Sequence, residues 1–268
     1  MKGYKRWVHR CDSRYRWLPV AKMILLALLT AFLLYLLEYP PQWGLLWLLL
    51  FPAFLLSGAA SSTILLTESV KPLHEACDPY PFLDETTIQL TYVKGKGERA
   101  VLTLNHAAAL METGRMEQAY ALLTALPQSN LPNLPTVWLP FYLNLGQCEL
   151  EVTGDVTRAQ VWYEQTLKQL EEIKNPKQKA ELADAVRLMY VELQIARGEF
   201  ATALETLATV ADKNLRRQVD KAWAYGRIAQ AQGDVPGAVR NLEYVVACGN
   251  RLGLVQKARE RLAQLSPT

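Results

Sequence analysis

Gly233-Asp234-Val235-Pro236-Gly237-Ala238 decides the fold, because its glycine-to-alanine frame recurs three times earlier in the chain. The other copies are Gly114-Arg115-Met116-Glu117-Gln118-Ala119, Gly154-Asp155-Val156-Thr157-Arg158-Ala159 and Gly198-Glu199-Phe200-Ala201-Thr202-Ala203. The glycines are 40, 44 and 35 residues apart. Recurrence at that period marks a helical repeat array, in which each helix pair buries its apolar face only against its neighbours. Each glycine suits the left-handed residue that ends a first helix. Asp155, Glu199 or Asp234 then favours the start of the second helix through its dipole. The alanine five positions on supplies a small side chain where two helices cross.

Apolar spacing of helical period fills the stretches between these turns. The spacing predicts helices over Leu102–Thr113 and Met116–Leu126, then Val137–Thr153 and Thr157–Ile173. A third pair spans Lys177–Arg197 and Phe200–Ala211, and a fourth Leu215–Gln232 and Val235–Cys248. A last amphipathic helix, Leu252–Leu265, has Lys257, Arg259, Glu260 and Arg261 among its polar positions. The expected fold class is all-α: a solenoid of four helix pairs with a C-terminal capping helix, over residues 98–268.

The four steps carry a resemblance. The pattern is similar to the tetratricopeptide repeat, over about residues 98–250. Gly226 stands where that family often has a glycine seven residues before the turn, and Gly146 lies one residue further from its own turn. Ala107 and Val191 replace it in the first and third repeats. Leu123, Tyr163, Leu207 and Leu242 occupy the place of the family's large residue after the alanine. The family's tryptophan near the repeat start is missing, with Tyr142 the nearest substitute. The resemblance implies that the first helix of each pair lines a concave groove that takes a protein or peptide partner. Its groove positions fall on Leu104, Ala108 and Met111, then Leu143, Gln147 and Leu150, then Leu188, Glu192 and Ile195, then Trp223, Arg227 and Gln230. Trp223 and Arg227 are residue types that dominate binding hot spots. The family's carboxylate clamp does not fall into place: Asn105 and Asn144 echo its asparagines, but its lysines and arginine are absent.

Ahead of the repeats lie two apolar runs, at 18–37 and 43–63, each long enough to cross a bilayer as a helix. Residues 1–22 carry seven Lys and Arg against Asp12 alone, so they hold +6 of a net +3 and the remainder sums to −3. The basic segment at 1–17 flanks the first run, which predicts a cytoplasmic N-terminus. The turn between the runs, Glu38 to Gln42, has two prolines and no Lys or Arg. A two-span hairpin in the bilayer follows, with both termini cytoplasmic, as in a bacterial inner-membrane protein. Small residues four apart, Ser57/Ser61 and Gly58/Ser62, allow close helix approach and a homodimer. Beyond Lys22 at the start of the first, neither span holds a charged residue, which argues against a transporter. Pro72, Pro79 and Pro81, then Lys94-Gly95-Lys96-Gly97, predict a flexible juxtamembrane linker over 64–97, with Ile88, Leu90 and Tyr92 available to cover the first repeat.

Chemistry is sparse. The histidines are His9, His74 and His106, and no phosphate loop, G-x-S-x-G elbow or H-E-x-x-H motif occurs. His74, Cys77 and Asp78 cluster without a second set of ligands, so no metal site is expected. Cys11, Cys77, Cys148 and Cys248 are widely spaced and read as reduced thiols. No basic stripe runs along the repeats, which argues against nucleic acid. The expectation is a non-enzymatic, cofactor-free membrane adapter that recruits a protein partner, or else a peptide-responsive regulator or a subunit of a larger membrane complex.

Overall fold

The computed structural model describes Leu28 and residues 65–265. Every regular element among the described residues is helical. Helix α1 covers 65–76. Then come α2 (Tyr80–Tyr92), α3 (Lys96–Glu112), α4 (Met116–Ala125), α5 (Pro135–Cys148) and α6 (Val156–Glu172). The series ends with α7 (Pro176–Arg197), α8 (Phe200–Ala208), α9 (Leu215–Ala231), α10 (Val235–Cys248) and α11 (Gly253–Leu265). The spans expected at 18–37 and 43–63 lie outside the described residues, apart from Leu28, which is helical and exposed. Among the described residues no helix is long and apolar enough to cross a membrane.

The four glycine–alanine steps form the turns of four consecutive helix pairs. Gly114, Gly154, Gly198 and Gly233 have φ of 80, 70, 75 and 77°, a region that side-chain-bearing residues enter only at a cost. Ala119, Ala159, Ala203 and Ala238 are all fully buried. A larger side chain there would hold the paired helices apart. Asp155 and Asp234 cap their helices directly, accepting from the amides of Arg158 at 2.9 Å and Gly237 at 3.0 Å. Asn175 and Asn214 do the same for α7 and α9. Glu199 makes no such side-chain cap. In the second pair a π-turn over Glu149–Thr153 extends α5 to its glycine. There Glu149 is buried and accepts from Tyr120 Oη at 3.0 Å while pairing with Arg158 at 3.0 Å.

The segment read as a linker is corrected by the structure. It folds into α1 and α2, and α2 packs on α3. The prolines do not break it, because Pro79 and Pro81 sit at the start of α2, where no amide partner is required. Gly95 is the N-cap of α3 rather than a loose joint, so α3 begins at Lys96. Leu73, Cys77, Phe82, Leu83 and Ile88 are buried. The pattern was obscured by the absence of a glycine–alanine step in these two helices.

Helices α3 to α11 pack mainly on their neighbours in sequence, and the successive first helices α3, α5, α7 and α9 also touch one another. The last helix, α11, lies against α10 and also against α3. Val255, Ala258 and Leu252 therefore share one apolar core with Leu73, Cys77, Phe82, Leu104 and Leu110. The two ends of the described chain are joined. Smaller clusters hold α7, α8 and α9 through Val191, Leu207 and Ile228, and the α5–α7 region through Leu139, Ile173 and Val186.

Candidate functional site

The inner faces of α3, α5, α7 and α9 converge with α11 on one cavity of about 420 Å³. From the first helices of the pairs come Ala108, Met111 and Glu112, then Asn144, Gln147 and Leu150, then Glu192 and Ala196, then Arg216, Asp220, Trp223 and Arg227. Helix α11 adds Leu254, Lys257 and Arg261. Helical spacing makes this possible: 216, 220, 223 and 227 step by four, three and four along one face of α9.

Of the expected groove positions, Met111, Gln147, Glu192, Trp223 and Arg227 line the cavity, as do Ala108 and Leu150. Leu104 and Leu143 do not, being buried in the helix packing. Leu188 and Ile195 pack on the cluster of α7, α8 and α9. Gln230 is not among the lining residues, and its Oε1 accepts from Arg261 Nη1 at 2.7 Å. The sequence pattern shows neither that Lys257 and Arg261 of α11 face the cavity nor that Glu112, Arg216 and Asp220 meet there. The visible signal is the i, i+3, i+7 spacing of Leu254, Lys257 and Arg261, which shows one face but not what that face covers.

The cavity is charged, and its charges are unevenly placed. Arg216 is 15 % exposed and sits between two carboxylates. Its Nε and Nη2 both donate to Glu112 Oε2 at 2.8 Å, and its Nη1 pairs with Asp220 Oδ1. In the lining at that end two carboxylates meet one guanidinium, and Arg217 acts on Glu112 from outside the lining. Arg227 pairs with Glu192, and Lys257 pairs with Glu151. Arg261 has the neutral Gln230 as its hydrogen-bond partner, and no carboxylate among the described residues lies within ion-pair distance of it. The guanidinium carbons of Arg227 and Arg261 approach the Trp223 ring to 5.6 and 5.5 Å. Burial lowers the pKa of Arg261, and Arg227 lowers it further, with Glu192 opposing both. Burial likewise lowers the pKa of Lys257. This end is positive.

The lining contains no Ser, Thr, Cys, His or Tyr side chain. Its groups can hold and orient a polar ligand, and aromatic and guanidinium faces can stack on it. His106 lies elsewhere, its Nδ1 3.0 Å from Thr86 Oγ1. Cys77 is fully buried, and its carbonyl accepts from the Arg251 amide at 3.3 Å. No protein-family model, curated protein or solved structure matches the chain.

Proposed function

We propose that the chain is a tetratricopeptide-like binding module held at a membrane by an N-terminal two-span hairpin. It recruits a protein partner on the cytoplasmic side by taking a short segment of that partner into the central cavity. The observation that supports this reading is convergence. Four consecutive first helices, each followed by a glycine–alanine turn, present their inner faces to one concave space. Tethering such a module raises the partner's effective concentration at the bilayer.

The size of the cavity narrows the occupant. A helix with its side chains is about 10–12 Å across, so a space of about 420 Å³ takes a short extended segment rather than an amphipathic helix. A second reading is favoured by α11, which closes the cavity against α3. On that reading the module is a regulator that encloses a small peptide.

The test of the adapter is photo-crosslinking in native membranes from a reactive amino acid placed at Gln147. A captured partner that is lost in Trp223→Ala and Arg227→Ala supports the proposal. Capture unchanged by both substitutions refutes it.

A further inference from the structure

The cavity has two electrical ends, and their separation sets a length. Along α9, Asp220 and Arg227 are seven residues apart, which is about 10 Å of helix rise. At one end Arg216 occupies Glu112 Oε2 and Asp220 Oδ1, and among the described residues no hydrogen bond or ion pair takes Glu112 Oε1 or Asp220 Oδ2. At the other end Arg227 and Arg261 lie beside Trp223, with Glu192 as the one carboxylate between them. These groups are mostly shielded: Arg227, Asp220 and Glu112 side chains are 20, 21 and 24 % exposed. In such surroundings an uncompensated charge draws a ligand charge more strongly than in water.

We infer that the cavity takes a free peptide of about three residues, its ammonium end at Glu112 and Asp220 and its carboxylate at Arg227 and Arg261. This deepens the peptide-responsive reading and rests on it. An extended chain advances about 3.3–3.6 Å per residue, so three residues bridge the two ends and a single amino acid does not. Asn144 and Gln147 also line the cavity and can meet the backbone amides and carbonyls that a peptide presents between its ends. Trp223 and Met111 offer apolar surface to side chains. A dicarboxylate or an acidic segment would meet repulsion at the Glu112–Asp220 end. A polyamine would meet it at the Arg227–Arg261 end.

The test uses the full chain in detergent and three pools of Ala-X-Ala tripeptides, with X varied. One pool has free ends, one is N-acetylated and one is C-amidated; alanine is the fourth probe. Binding is measured by calorimetry and by the shift of thermal unfolding. The free-ended pool is expected to bind, and each blocked pool to bind about tenfold more weakly or worse, since each lacks one charge-assisted contact. Alanine should bind more weakly than the free-ended pool. In Arg261→Gln the amidated and free-acid pools should become alike. In Asp220→Asn the acetylated and free-amine pools should become alike. If blocked and free-ended pools bind the wild-type chain equally, the two-ended recognition is wrong while the peptide-responsive reading stands. If no pool binds at millimolar concentration, both fall.

Discussion

Replacing Gly253 by alanine tests whether the two ends of the described chain are joined in solution. Gly253 begins α11 and meets the α3–α4 turn backbone to backbone. A Cβ added there would lie 2.3 Å from both Cα and N of Gly114 and 2.6 Å from the carbonyl carbon of Thr113. Ordinary contacts of a Cβ begin near 3.4 Å, so the start of α11 must retreat by about 1 Å. No rotamer relieves the clash, because the neighbours are backbone. The turn cannot yield easily either: Gly114 N donates to Met111 O and Arg115 N to Leu110 O, each at 2.9 Å. Overpacking of this kind costs about 1–3 kcal/mol, against a helix-propensity gain of less than about 1 kcal/mol. The net loss is about 1–2 kcal/mol, or a fall in Tm of about 2–8 °C for a domain of this size. Gly154→Ala is the control. It has no atom within 4 Å of its Cβ but holds φ at 70°, so it costs about 1–2 kcal/mol of backbone strain without moving α11. Amide hydrogen exchange separates the two. Gly253→Ala should speed exchange in α11 selectively, and Gly154→Ala should not. A Gly253→Ala protein with wild-type stability and wild-type α11 protection would refute the closure.

Glu149→Ala should lower stability by about 2 kcal/mol in urea unfolding, since it strips a buried carboxylate from Tyr120, Arg158 and Thr153, and Glu149→Gln should cost less. Asp184 is buried, which pushes its pKa up, but Lys213 at 2.5 Å and Arg187 at 2.7 Å outweigh this and hold it below the ordinary value. A depressed carboxylate pKa adds stability that is full above the unfolded value and disappears as pH falls through the folded one. Unfolding measured from pH 6 downward should therefore show a loss beginning near pH 4 in the wild type, with a shallower slope in Asp184→Asn. Burial, with Glu149 adding to it, pushes the Cys148 thiol up to about 12. Iodoacetamide at pH 8 should leave Cys148 unmodified in the native protein and label it only after unfolding, as read by mass spectrometry.

The repeat pairs were legible because their information is local. A glycine at φ near 75°, in three of the four an acidic residue after it, and a buried alanine five positions on all lie within six residues of sequence. The inner face was legible in part for the same reason: Met111, Gln147, Glu192, Trp223 and Arg227 follow from helical period once the turns are fixed. Leu104, Leu143 and Leu188 went to the packing instead, because an apolar residue on a first helix can face either the cavity or the neighbouring helix. The site's polarity was not legible. Arg216 meets Glu112 across 104 positions of chain, and Arg261 meets Trp223 only because α11 returns to the start of the array. The amphipathic pattern of α11 marks its polar positions but not what they face, and Lys257 and Arg261 line the cavity.

The closure that creates this polarity is apolar in origin. Its visible polar links are Arg251 with Asp78 at 3.3 Å, Arg251 over the Tyr80 ring at 3.8 Å, and Asn250 Nδ2 donating to Ala76 O at 2.8 Å. Arg251 is 53 % exposed, and an exposed ion pair contributes about 1 kcal/mol or less. Burying a single leucine or valine side chain contributes about 1.5–3 kcal/mol, and Leu252 and Val255 on one side meet a core that includes Leu73 and Phe82 on the other. The apolar term therefore outweighs the polar one. The polar links fix register at the α1–α2 turn, where Cys77 adopts φ of 51° and offers its carbonyl to Arg251. It follows that α1 and α2 belong to the same packed unit as the repeat pairs and α11.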